Sequence, residues 1–95
     1  MKDNRALSDL TSVGPATLVD FEDLGITEVE HLLKKDAGAL YLQLQEIKGR
    51  KLDPCCEDVF QCAIEQARDP NLPEEKKQWH YWSKVRKQQK RHPAS

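Results

Sequence analysis

The sequence predicts an all-α fold, a compact bundle of five or six short helices in a single domain. Three observations carry that expectation. Apolar residues recur at intervals of three and four along most of the chain, the spacing of one helix face. Proline, glycine and capping residues stand where such helices should begin and end. No segment alternates polar and apolar residues for long enough to make a strand. With 95 residues, 33% of them charged and 38% apolar, the chain has material for one modest core under a well-solvated surface.

The elements follow in order. Residues 4–10 read as a short helix with Ala6, Leu7 and Leu10 inward, and a turn occupies 11–15. Pro15 suits the first position of the next helix, where its missing N–H costs nothing. Leu18, Phe21 and Leu24 form the inner face of that helix, and Gly25 is a natural cap at its end. Thr27 and Glu30 have the spacing of a capping box, opening a short helix with Val29, Leu32 and Leu33 inward. Asp36 caps a helix in which Ala37, Leu40, Tyr41, Leu44 and Ile47 keep the 3.6-residue period. Leu42 falls on its opposite face, and Gly49 ends it.

Asp53 and Pro54 open the clearest element. Cys56, Val59, Phe60, Ala63, Ile64 and Ala67 then make one continuous apolar stripe, which puts this helix at the centre of the core. The stretch 68–73 breaks it. A last helix starts near Glu74, with Trp79, Trp82 and Val85 turned inward. The apolar period is lost beyond that point. The predicted organisation is therefore one helical domain over 1–83, followed by a basic, frayed tail over 84–95.

Composition excludes several classes. No stretch approaches the ~18 apolar residues of a membrane span. The first ten residues lack the apolar core of a signal peptide, so the expected location is cytoplasmic and no membrane partner is expected. Three cysteines, an odd number, argue against a disulfide framework. No phosphate-binding loop and no arrangement of nucleophile and base can be argued, and the expected protein is not an enzyme and has no small-molecule substrate. Charge is divided unevenly. Residues 1–47 hold 4 basic and 9 acidic side chains, and residues 48–95 hold 11 and 7. After Glu75 come seven Lys or Arg and no carboxylate, a pattern suited either to an acidic partner such as nucleic acid or to a solvated helix end.

The turn "LTSVGPATL" (10–18) is the first candidate site. A helix that begins after Gly14 leaves backbone N–H groups unpaired near Gly14, Ala16 and Thr17. The helix dipole adds partial positive charge there, and a phosphate fits such a place without a side-chain cation. The pattern Leu10, Val13, Gly14, Leu18, Phe21, Gly25-Ile26 resembles the helix-hairpin-helix over residues 5–26, which in many DNA repair proteins grips the phosphate backbone. More of the chain, residues 5–83, resembles a small bacterial family of pathogenicity-locus or mitomycin-resistance proteins. The resemblance rests on "LGITEVEHLLKKDAGALYLQL", "DPCCEDVFQCAI" and a Trp-rich end. It implies a compact, SAM-like helical fold containing a helix-hairpin-helix, similar to the C-terminal domain of the competence regulator TfoX. It implies no reaction and no cofactor. The chain departs from the hairpin pattern at Ser12, where glycine is usual, and at Ala16, where lysine is frequent. Asp20, Glu22 and Asp23 add carboxylates within reach of a bound phosphate.

The expected DNA contacts are thus Val13, Gly14, Ala16 and Thr17 in the hairpin, with Lys84, Arg86, Lys87, Lys90 and Arg91 as a loose basic arm. Binding of that kind ignores base sequence and weakens steeply with salt. Two further readings stand beside it. One is a protein-interaction module using exposed apolar residues such as Leu42 and the acids near Asp20 and Asp23. The other is thiol chemistry at Cys55, which lies in the first turn of its helix, where the dipole lowers a thiol pKa. Cys55 and Cys62 stand about 10 Å apart along a helix, too far for a disulfide. A metal would need help from His31 or His80, and no metal site is expected.

Overall fold

A computed structural model of the protein describes the backbone of residues 5–90 and the side chains to residue 88. Four α-helices, α1 (Pro15–Asp23), α2 (Ala37–Lys48), α3 (Cys55–Arg68) and α4 (Trp79–Lys90), alternate with three 3₁₀ turns, Leu7–Asp9, Val29–Leu32 and Glu74–Lys77. No strand occurs among the described residues. The helix read as central is central: α3 packs against both α2 and α4 and against two of the 3₁₀ turns. Phe60 on α3 meets Phe21 on α1 with ring centroids 5.4 Å apart. Leu10, Ile26, Leu32, Leu44 and Ile64 close around them.

Local signals explain most element ends. Asp36 caps α2 by accepting the Ala39 N–H at 3.0 Å. Helix α1 ends in a Schellman turn: Ile26 N–H reaches the Phe21 carbonyl at 2.8 Å and Gly25 N–H the Glu22 carbonyl at 3.0 Å. Gly25 takes φ 78° to allow this, and Ile26 tucks into the core behind it. Gly49, at φ 66°, ends α2 by the same motif. Asp53 accepts the Cys55 N–H at 2.9 Å, and regular α3 geometry begins one residue later than Pro54 suggests.

Five expectations need correction. The helix expected over 4–10 is the 3₁₀ turn Leu7–Asp9, closed by Ala6 N–H on the Asp9 carboxylate at 2.8 Å, and Ala6 itself is exposed. The capping box at Thr27 does not form. The Thr27 N–H donates to His31 Nδ1 at 3.2 Å, and only a 3₁₀ turn follows. Leu33 and Ile47 are exposed, Ile47 because the last turn of α2 extends beyond the buried core. Trp79 is exposed too, since α4 begins at that residue. Of the segment 84–95 expected to fray, residues 84–90 continue α4, and 91–95 lie outside the described residues. Half-buried Trp82, Val85 and Arg86, with buried Ser83, hold α4 to α3.

Candidate nucleic-acid interface

Asp58, Cys62 and Gln66 stand at i, i+4 and i+8 on α3 and share one face. All three are buried, and each is satisfied from a different part of the chain. Asp58 takes two hydrogen bonds from Arg86 on α4, at 2.7 and 3.1 Å. The Cys62 thiol donates to the Lys77 carbonyl at 3.0 Å, in the connection before α4. The Gln66 amide clamps the backbone of Thr11, accepting its N–H at 2.9 Å and donating to its carbonyl at 2.8 Å. This polar column positions the turn before α1 and the start of α4 against the same helix.

Ser12 then joins those two segments directly. Its hydroxyl donates to the Lys77 carbonyl at 2.9 Å and accepts the Trp79 N–H at 3.2 Å. It thereby caps α4 from 67 residues away. Ser12 adopts φ 73°, the left-handed conformation that glycine takes most easily. The turn keeps the backbone shape that glycine would give, and the hydroxyl adds the tie to α4. Gly14 follows by two residues, so the start of α1 lies within about 7 Å of chain from Ser12.

The first bond within α1 runs from Leu18 N–H to the Gly14 carbonyl at 3.0 Å. The Ala16 and Thr17 amides precede it, and no side chain caps this end. Ala16 is exposed; Gly14 and Thr17 are half-buried. Val13 is half-buried and packs against the core beneath the turn. Two of the three acids that threatened this place are engaged with α2: Lys48 Nζ lies 3.5 Å from Asp20 and 3.7 Å from Asp23.

On α4, Lys84 and Lys87 line one face with His80, at i, i+4 and i+7, His80 and Lys84 exposed. Arg86 is not part of a loose arm. Its guanidinium is turned inward onto Asp58, because a buried carboxylate requires a partner. The side chain of Lys90 and all of Arg91 lie outside the described residues. Trp82 is half-buried and donates its indole N–H to the Lys76 carbonyl at 2.7 Å, whereas Trp79 remains in water beside His80. The depression of about 570 Å³ between Gly25 and Lys35 shares no residue with this surface.

The thiols do not favour reactivity. The Asp53 carboxylate beside the Cys55 thiol, together with burial, raises its pKa. The expected lowering by the helix dipole is overturned by the residue that starts the helix. Burial also raises Cys56, and it pushes Cys62 up to about 11. Among the described residues, no three His, Cys, Asp or Glu side chains converge as a metal site would need. Among them too, no helix is long and apolar enough to cross a membrane.

The sequence pattern marks the apolar stripe of α3 as its buried face. The i, i+4, i+8 column of Asp58, Cys62 and Gln66 is the available sign of a second. Residues 1–88 match the family described as Cdd1, pathogenicity locus. The chain is similar to mitomycin resistance protein McrB of Streptomyces lavendulae, with 37% identity over 79 residues, 83% of this chain and 72% of that protein. No solved structure is matched. The family match spans nearly the whole chain, and the chain belongs to the pathogenicity-locus family.

Proposed function

We propose that this protein is a non-catalytic DNA-binding protein that uses a helix-hairpin-helix to hold the phosphate backbone without reading base sequence. The observation that carries the reading is the Ser12 tie. It places the uncapped start of α1 beside the start of α4, whose outer face presents His80, Lys84 and Lys87. Amides at Ala16 and Thr17 would take a phosphate, and the two lysines would neutralise its neighbours. Pairing of Asp20 and Asp23 with Lys48 supports the same reading by reducing repulsion at the turn. The mitomycin-resistance name of the relative is compatible with it and names no mechanism.

The test is anisotropy with a labelled duplex of random sequence at several salt concentrations. Affinity should fall steeply with salt and stay constant across sequences. Lys84→Glu with Lys87→Glu should weaken binding and flatten the salt slope by about 0.9 for each phosphate no longer neutralised. No binding by the folded protein at about 50 mM salt, or strong dependence on sequence, defeats the proposal.

A second reading, a protein-interaction module, is favoured by one observation. Leu42 stands out of α2 at 60% exposure, beside a depression lined by Gln45, Glu46, Arg50 and Lys51. Leu42→Asp should leave DNA affinity unchanged and abolish any association that depends on this face.

A further inference from the structure

Resting on that reading, we infer that the surface takes single-stranded nucleic acid, with one unpaired base stacked on Trp79. The two tryptophans differ in what they do. Trp82 is half-buried and its indole N–H is used by the Lys76 carbonyl, so its ring belongs to the α3–α4 packing. Trp79 keeps 36% of its surface in water although the core is small and the chain has only 2 tryptophans. Its backbone N–H, not its ring, makes the tie to the Ser12 hydroxyl. Its ring meets His80 edge-on, with centroids 6.0 Å apart and planes at 78°.

The surroundings specify the partner by charge. Trp79 opens the helix whose outer face carries His80, Lys84 and Lys87, in a stretch with no carboxylate after Glu75. An exposed indole at the head of a cationic strip suits a base with its phosphates, not an acidic peptide, which offers no planar face. In a duplex the base faces are already stacked on each other. An unpaired base leaves a face free, and stacking on an aromatic side chain tolerates any base.

The experiment compares a fluorescein-labelled thymidine 12-mer with a 12-base-pair duplex, against the full chain and its W79A, W79Y and K84E/K87E variants. The 12-mer should quench tryptophan emission. W79A should weaken 12-mer binding on the order of tenfold, W79Y should recover most of it, and duplex affinity should move by less than about twofold. K84E/K87E should weaken both ligands. Circular dichroism shows whether W79A is folded, and W79Y decides the matter if it is not. Equal loss for both ligands in a folded W79A, or an unchanged 12-mer affinity, overturns the stacking while leaving the duplex reading intact. A Trp79-dependent 12-mer with no duplex binding overturns the hairpin grip and keeps the stacking. Binding of neither ligand overturns both.

Discussion

Ser12 offers the sharpest test of how this fold is held, because two effects of opposite sign meet at one residue. Its left-handed backbone costs roughly 1 kcal/mol that glycine would not incur. Its hydroxyl caps α4, an interaction typically contributing about 1 kcal/mol and up to about 2. The lower value applies here. The Lys77 carbonyl keeps the Cys62 thiol as donor when the hydroxyl is gone, and water can reach the Trp79 amide at the exposed start of α4. Ser12→Ala loses the cap and keeps the strain, so it should destabilise by about 1 kcal/mol, or some 4–8 °C in Tm. Ser12→Gly loses the cap but sheds the strain, so it should sit within about 0.5 kcal/mol of the parent. Urea and thermal unfolding followed by circular dichroism at helix wavelengths measure both. A glycine variant less stable than the alanine variant, or an alanine variant equal to the parent, refutes the reasoning.

Gly25→Ala isolates backbone conformation. An added Cβ would touch nothing within 4 Å, yet φ is 78°, so the expected loss of about 1 kcal/mol in urea unfolding is purely conformational. Asp58→Ala should destabilise by about 3 kcal/mol by leaving Arg86 unpaired against α3, and D58L/R86M should recover most of that in the same assay. The Cys62 pKa is raised from an ordinary 9.0 to about 11, so the folded state holds this proton more tightly than the unfolded state. The resulting stability is complete below pH 9 and is lost as pH rises to about 11, on the order of 2 kcal/mol in all. Unfolding free energies between pH 8 and 11 should show that fall in the parent and a shallower one in Cys62→Ala.

What the sequence disclosed is what short-range chemistry decides. The Asp36 cap, the glycine ends of α1 and α2 and the apolar stripe of α3 each depend on residues within one or two turns, and all were legible. What it concealed depends on partners far along the chain. Ser12 read as a departure from glycine because its reason, the Trp79 amide, lies 67 residues away. Arg86 read as a loose cation because nothing local says that Asp58 is buried. Thr27 and Glu30 had the right spacing for a cap, but His31 Nδ1 takes the Thr27 N–H instead. At Cys55 both influences were in plain view, a helix start and an aspartate. The dipole lowers a thiol pKa by a diffuse field, whereas the Asp53 carboxylate beside the thiol raises it, and the nearer charge wins.

The buried polar column of α3 explains how so small a core can fix the placement of an exposed surface. Burial of apolar area is non-directional and tolerates sliding and rotation. Among the described residues of α4, the large apolar groups turned at least partly inward are Tyr81, Trp82 and Val85, all half-buried, beside Ser83 and Arg86. Apolar contact alone therefore leaves the azimuth of α4 poorly determined. Directional bonds determine it: Arg86 on Asp58, the Trp82 indole on Lys76, and Ser12 on the first amide of α4. Gln66 holds the other end of the Ser12 link by clamping Thr11. Rotating α4 by one residue would turn Arg86 away from Asp58 and swing Lys84 and Lys87 off the side of the molecule where His80 now stands. The groups proposed to meet nucleic acid thus owe their register to side chains that are themselves buried or half-buried.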